Sequence, residues 1–141
     1  MIENQPNEIT LIFHSDKPED RKTRAYVETL EGYAIKTLDL KRENITETQL
    51  AEVANKLGVS IDDLVDAEYS DRAKISSVKG QREQDTLKLL AHEPILVATP
   101  ILIIGDHAYQ FESSYDLIHE TAAIHGVREN PAANVEEKDE T

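Results

Sequence analysis

The sequence predicts a mixed α/β fold, and three features of its pattern indicate this class. Residues 9–40 read as strand, helix and strand, residues 46–65 have helical periodicity, and residues 93–111 hold an apolar run followed by a hairpin turn. A chain of 141 residues is long enough to bury one core. We therefore expect one domain over residues 1–128, with a four-stranded mixed sheet and a helical insertion between its βαβ and ββα halves.

The βαβ half begins with a short apolar run at residues 9–13. Ser15 or Asp16 can cap the helix that follows, because their side-chain oxygens accept from free backbone N–H groups. Gly32 is predicted to end this helix, and residues 33–40 form the second strand. Two strands joined through a helix form a parallel pair with a right-handed crossover.

The middle of the chain predicts helices. Thr46 and Gln49 have the spacing of a capping box, and Gly58 is predicted to end this helix. Apolar residues between them recur at the spacing of one helix face: Leu50, Val53, Ala54 and Leu57. Ser60 predicts the start of a second, short helix.

A predicted loop at residues 69–81 separates these helices from a further helix over residues 82–92. The loop and its neighbour Arg82 contain the most basic stretch of the chain: Arg72, Lys74 and Lys79.

The densest apolar run covers residues 93–106 and is interrupted by Pro100. A proline cannot donate to a strand ladder, so the strand is predicted to begin at Ile101 and to pair with residues 108–111 across a tight turn. A last helix is predicted over residues 113–125, and the acidic residues 129–141 are predicted to be a disordered tail.

Composition excludes several classes of function. The 28 acidic and 15 basic residues give a net charge of −13, which repels nucleic acid and anionic membranes, so we expect neither as a partner. The sequence has no cysteine, which excludes disulfides, thiolate catalysis and cysteine-ligated metal. No signal peptide or membrane-spanning run is visible, and we expect a cytoplasmic monomer.

Two sets of residue types are candidates for chemistry. His14, Ser15 and Asp16 are the types found in a hydrolase triad, but triad members come together from separate segments and neighbours in a strand point apart. The histidines show no helical pair with a third ligand, so we predict no metal and no cofactor: His14, His92, His107, His119 and His125.

Three segments resemble the arsenate reductase-related branch of the glutaredoxin superfamily, which includes the Spx regulators. The first is residues 12–15 with residues 21–23, similar to that family's strand, active-site loop and helix start. The second is residues 57–64, similar to a Leu-Gly-(Ile/Val)-Ser junction. The third is residues 93–104, similar to the signature His-Pro-Ile-Leu-Ile-x-Arg-Pro-Ile-Val-Val. The resemblance implies a thioredoxin-like fold, which is also the order of the predicted elements.

The resemblance also implies a cis Thr99–Pro100 bond, which sequence physics alone does not predict because only about 5–6% of X–Pro bonds are cis. The family's nucleophilic cysteine would fall at Pro18 or Lys17, neither of which is a thiol. Its anion-binding arginines would fall near three residues without positive charge: Asp66, Thr99 and Glu112. We therefore expect no arsenate reductase chemistry and no catalytic residue, only a vestigial active-site loop: His14, Ser15, Asp16, Lys17 and Pro18.

With reductase chemistry excluded, the function that the resemblance still implies is binding. In thioredoxin folds the residue before the cis proline offers its backbone groups to an extended peptide or to glutathione, and here that residue is Thr99, beside Pro100. The leading hypothesis is a non-catalytic module that binds a protein or an extended peptide at this edge. The alternatives are an Spx-like regulator that binds RNA polymerase and an enzyme of unrecognised type that uses His14.

Overall fold

A four-stranded mixed sheet lies at the centre of the computed structural model, which describes residues 7–72, 82–110 and 128–129. Strands β1 (Glu8–Phe13) and β3 (Ala34–Asp39) are parallel, as the predicted βαβ unit requires. Strand β4 (Ile101–Ile104) pairs antiparallel with the other edge of β1, and β5 (His107–Gln110) pairs antiparallel with β4. The order β3-β1-β4-β5 confirms the predicted mixed sheet.

The two central strands are buried on both faces, because successive side chains of a strand point to opposite sides. Phe13 and Leu102 belong to one hydrophobic cluster, which also includes Val27 of helix α1 (Pro18–Val27). Ile12 and Ile103 belong to a second cluster, which includes side chains from the helical insertion. This two-sided burial explains why β4 reads as a continuous apolar run and β1 as a nearly continuous one.

The helices of the insertion have the predicted capping residues. In helix α2 (Glu47–Leu57) the Thr46 hydroxyl accepts from the Gln49 N–H, and the Gln49 side chain accepts from the Thr46 N–H, both at 3.0 Å. Gly58 ends α2 with φ at 71°, a left-handed conformation that glycine adopts at low cost. A 3-10 helix at Ile61–Leu64 follows, with a second capping box between Ser60 and Asp63.

The start of α1 differs from the prediction. Lys17 is the N-cap residue, and neither Ser15 nor Asp16 caps the helix. Both residues instead bond to residues at the end of β3 and in the loop after it. The Ser15 N–H donates to Asp39 at 3.0 Å, and the Asp16 carboxylate forms an ion pair with Lys41 at 2.7 Å.

The end of α1 also differs, because Glu28 and not Gly32 is the C-cap residue. The Glu28 N–H donates to the Arg24 carbonyl at 3.0 Å. Gly32 has φ at 83° and follows a two-residue strand that was not predicted, β2 (Leu30–Glu31). Strand β2 pairs antiparallel with β6 (Arg128–Glu129), which places Glu129 in a strand and not in the predicted tail.

A third helix occupies part of the predicted loop. Helix α3 (Ala67–Arg72) begins after Asp66, whose side chain accepts from the Tyr69 N–H at 3.3 Å and whose carbonyl accepts from the Ser70 N–H at 3.0 Å. The loop prediction is therefore wrong for residues 69–72, and residues 73–81 lie outside the described residues.

Helix α4 (Glu83–His92) agrees with the prediction and is followed by a 3-10 turn at Pro94–Leu96. The Thr99–Pro100 peptide bond is cis. The predicted last helix and residues 130–141 of the predicted tail lie outside the described residues. Within the described ranges, no helix combines the length and the apolar character needed to cross a membrane.

Candidate functional site

The loop after β1 begins with a buried histidine. His14 is only 5% exposed, and its Nδ1 atom accepts from the Asp16 N–H at 3.2 Å. Burial lowers the pKa of His14, because the imidazolium ion is poorly solvated there, although the nearby Asp16 carboxylate opposes this effect. The geometry therefore favours the neutral ring, held as a structural acceptor within the loop.

Lys17 is the most unusual residue of the loop, because lysine is almost never fully buried unless it is paired. Its exposure is 3%, and its ammonium group donates to Asp66 Oδ2 at 2.9 Å and to the Val97 carbonyl at 2.7 Å. The same nitrogen lies 4.7 Å from the centre of the Tyr69 ring, within the range of a cation–π contact. These three contacts leave the ammonium group little capacity for a further ligand.

Asp20 is a second buried charge, at 1% exposure. Its Oδ2 atom accepts from the His14 N–H at 2.9 Å and from the Thr99 hydroxyl. Burial raises the pKa of Asp20, and these two hydrogen bonds oppose the shift because they favour the carboxylate. Asp20 thus joins helix α1 to both the β1 loop and the segment before β4.

The segment before β4 pairs with the segment before α3. The Asp66 N–H donates to the Leu96 carbonyl and the Ala98 N–H donates to the Leu64 carbonyl, both at 2.7 Å, on either side of a bridge between Val65 and Val97. This short antiparallel pairing ends at Ala98.

Thr99 continues the same segment beyond the last paired residue. Among the described residues, none forms a hydrogen bond with its backbone N–H or C=O. The preceding carbonyl, of Ala98, accepts from the Gln110 side chain at 2.8 Å. Thr99 therefore has both a donor and an acceptor on its backbone that an extended segment could use.

Two adjoining cavities meet at Thr99, and together we call them the Thr99 cleft. The smaller has a volume of about 290 Å³ and lies between the start of α1 and α3, where Lys17, Asp20 and Tyr69 line it. The larger has a volume of about 670 Å³ and is lined by the residues around the start of α3 and the end of β5: Asp63, Val65, Ala67, Ala98 and Gln110. Asp66, Glu68 and Thr99 line both.

Comparison with known proteins identifies the fold. An arsenate reductase from Vibrio cholerae superposes with a TM-score of 0.64 and 15% identity, over 82% of this chain and 98% of that one. The chain has the arsenate reductase fold.

Two further solved structures agree with this assignment. A protein of Yersinia pestis, provisionally assigned as an arsenate reductase, has a TM-score of 0.66 and 18% identity over 79% of this chain and 98% of its own. An ArsC-family-related protein of Bacteroides fragilis, also a provisional assignment, has a TM-score of 0.63 and 13% identity over 79% and 95%. No family model and no curated protein matches the sequence. Identities this low establish the thioredoxin-like fold and leave the activity open.

Within this arsenate reductase fold, the structure brings together some of the predicted site residues. Lys17, Pro18, Asp66 and Thr99 line the cleft, whereas His14 lines neither cavity. Pro100 is buried directly after Thr99. The remaining loop residues, Ser15 and Asp16, bond to Asp39 and Lys41 as described above, and Glu112 lies outside the described residues.

Asp66 and Thr99, two of the residues predicted at the positions of the family's anion-binding arginines, bond to other residues of the chain. Asp66 pairs with Lys17, and the Thr99 hydroxyl donates to Asp20. Lys17, which lines the smaller cavity, therefore already pairs with a carboxylate of the chain. Within the described part of the chain, no three histidine or acidic side chains are grouped so that they could hold a metal ion.

Sequence reasoning missed two residues of the cleft. Asp20 reads as a favourable acidic residue in the first turn of α1, yet its spacing to the buried Thr23 and Val27 is that of one helix face. That spacing could have indicated from the sequence that Asp20 is buried. Tyr69 carried no such signal, because it lies where a loop was predicted.

Proposed function

We propose that the protein is a binding module without redox chemistry, which takes up an extended peptide segment of a partner protein in the Thr99 cleft. The observation that carries this proposal is the position of Thr99. Its backbone groups form no hydrogen bond with a described residue, and both cavities of the cleft open beside it. An extended segment can pair with such a backbone without any thiol.

The residues of the cleft also support binding over reduction. Reduction through an arsenic–sulfur adduct or a mixed disulfide requires a thiolate, and the sequence contains no cysteine. The buried residue at the start of α1 is Lys17, and its ammonium group is held by Asp66 and the Val97 carbonyl. A fully engaged ammonium group is a poor nucleophile and a poor anion ligand.

The alternatives from the sequence receive less support. An enzyme that uses His14 would need this residue at a cavity, and His14 lines neither of the two described. Binding to RNA polymerase stays a prediction, since no described feature of the cleft favours that partner over another protein.

Blocking the cleft tests the proposal. Ala67 is exposed at the start of α3 and lines the larger cavity, so Ala67→Trp should fill it without disturbing the core. The assay uses an immobilised array of random nine-residue peptides. We expect this variant to bind the array peptides with an affinity about tenfold or more lower than the parent's, which corresponds to about 1.4 kcal/mol of binding free energy.

Ala25→Trp is the matched control, because Ala25 is also an exposed helical alanine and lines neither cavity. It should bind the array as the parent does, and both variants should keep the parent's melting temperature. An array signal that Ala67→Trp leaves unchanged, or the absence of any peptide that binds the parent, would contradict the proposal.

A further inference from the structure

Asp20 connects helix α1 to the segment that contains Thr99. Its Oδ2 atom accepts from the Thr99 hydroxyl, 79 positions away, and from the His14 N–H at 2.9 Å. Thr99 lies just beyond Ala98, the residue at which the pairing of this segment ends. The hydrogen bond to Asp20 therefore restrains the same residue whose backbone N–H and C=O are proposed to pair with a peptide.

The strength of this restraint depends on the charge of Asp20. A hydrogen bond to a carboxylate is roughly twice as strong as one between neutral groups. The two donors that Asp20 accepts from belong to different segments, the loop after β1 and the segment before β4. A protonated Asp20 would hold both segments more weakly, so the backbone of Thr99 would be less ordered.

The groups that face Asp20 come from three parts of the fold. Lys17 at the start of α1 favours the carboxylate, Asp66 before α3 opposes it, and the His14 ring in the loop after β1 also interacts with it. Burial raises the pKa of Asp20 above the usual 3.8 of an aspartate, so its charge is lost closer to neutral pH than that of an exposed one. Three further titratable side chains line the smaller cavity with Asp20: Glu19, Glu68 and Tyr69.

A peptide in the cleft would change the hydration of Asp20 little, because this residue is already only 1% exposed. Pairing with a peptide requires an ordered backbone at Thr99, and the charged form of Asp20 provides that order. Binding should therefore favour the carboxylate. The affinity is then highest above the pKa of Asp20 and falls as the pH falls through it.

On the basis of the proposed function, we infer that Asp20 is a positioning residue of the Thr99 cleft, whose charged carboxylate holds Thr99 in the conformation that binds a peptide. Asp20 acts through Thr99: the carboxylate holds the hydroxyl, and the held residue presents its backbone groups to the peptide. The cleft accordingly releases its peptide in acid.

The test measures peptide affinity as a function of pH. The probe is the array peptide that the parent protein binds most tightly, followed by fluorescence anisotropy between about pH 4 and pH 8. We expect the affinity of the parent to fall about fivefold on acidification, with a midpoint above 3.8. Asp20→Asn keeps the shape and loses the charge, so it should bind at neutral pH about as weakly as the acidified parent and lack this step. Titration of the peptide's own side chains affects both proteins equally.

Variants of Thr99 test the same contact from its other end. Thr99→Val removes the hydroxyl and keeps the backbone groups, so it should weaken binding about fivefold and remove the pH step. Thr99→Ser restores the hydroxyl and should bind more tightly than Thr99→Val, with the pH step present. The double variant Asp20→Asn/Thr99→Val should bind no more weakly than Thr99→Val alone, because both changes remove one interaction.

Asp39→Asn is the matched control. Asp39 also accepts from a backbone N–H of the loop after β1, that of Ser15, and lines neither cavity. This variant should keep the affinity and the pH profile of the parent. Circular dichroism at each pH shows that every protein compared is folded.

The outcomes separate this inference from the proposed function. A parent whose affinity does not change with pH, or an Asp20→Asn variant that keeps the parent's affinity and pH step, would overturn the inference. The proposed function would still stand if Ala67→Trp abolished the binding of the same peptide. A parent that binds no peptide of the array would overturn both.

Discussion

Two buried threonines of the helices differ in a single hydrogen bond. Thr23 and Thr86 are both fully buried, on α1 and α4. The Thr23 hydroxyl donates to the Glu19 carbonyl at 3.0 Å, whereas the Thr86 hydroxyl oxygen has no hydrogen-bond partner among the residues that the structure describes. A buried polar group without a partner lowers stability, because it loses its hydrogen bonds to water.

Replacement by valine, which has nearly the same shape, should therefore have opposite effects at the two positions. Thr86→Val should leave the free energy of unfolding unchanged or raise it by up to about 1 kcal/mol, and Thr23→Val should lower it by about 0.5–1.5 kcal/mol. Urea denaturation measures both. The two variants share the same change in side chain, so equal losses of stability would show that the Thr86 hydroxyl has a partner.

At the level of single residues, the resemblance placed Thr99 beside the loop after β1, and Thr99 lines one cavity with Lys17 and Pro18 of that loop. The burial of Lys17 could not be predicted, and that of Asp20 only from its spacing on α1, because charged residues are almost always exposed and their stability inside depends on the partner. Those partners, Asp66 and Thr99, are 49 and 79 positions away in the chain.

Between elements, the ion pair of Lys17 and Asp66 connects the start of α1 to the start of α3. Lys17 is almost completely buried and the Asp66 side chain is 20% exposed. Removal of one member of such a pair leaves the other charge without compensation, whereas removal of both does not.

Asp66→Asn should therefore destabilise the protein more than the double variant Lys17→Met/Asp66→Asn does. For a well-buried pair the loss of one partner is about 3–5 kcal/mol, and partial exposure of Asp66 should reduce this to roughly 2–3 kcal/mol. Chemical denaturation of the three proteins gives the comparison. Lys41→Met, which breaks the exposed pair with Asp16, is the control and should cost at most about 1 kcal/mol. A double variant less stable than Asp66→Asn would contradict this account.

The elements whose boundaries depend on neighbours in the sequence were predicted well. The caps at Thr46, Gly58 and Ser60 involve residues within a few positions, and all three are present. The N-terminus of α1 was not predicted, because the Ser15 N–H donates to Asp39, 24 positions away, and the Asp16 carboxylate accepts from Lys41, 25 positions away. Tertiary contacts, and not the local sequence, therefore determined which residue caps the start of α1.

Across the whole molecule, the sheet separates two hydrophobic clusters. Leu102 and Ile103 are neighbours on β4, both fully buried, and each belongs to a different cluster. An apolar run of this kind is typical of a strand buried on both faces, and β4 has this burial.

Truncation of either side chain should therefore be costly. Leu102→Ala and Ile103→Ala should each lower the free energy of unfolding by about 2–5 kcal/mol, since each leaves a cavity in a packed cluster. Thermal and urea denaturation provide the measurement. Ile35→Ala, at a half-buried position on the edge strand β3, should cost less. A loss well below 2 kcal/mol for either β4 variant would show that the corresponding face is not a core.

The overall fold was largely predictable, because long apolar runs and helical periodicity reflect burial directly. The mixed sheet, the insertion and the thioredoxin-like class were all predicted. The pairing of β2 with β6 was not, since each of these strands has two residues and too short a pattern to recognise.

The central position of β1 has a consequence for synthesis. Its parallel partner β3 leaves the ribosome soon after it, but β4, the partner of its other edge, is translated about ninety residues later. At a synthesis rate of about 5–20 residues per second, an apolar strand with one open edge persists for several seconds in each nascent chain. During that interval the strand is a template for pairing with other chains, so the growing polypeptide is more prone to aggregation than the finished protein.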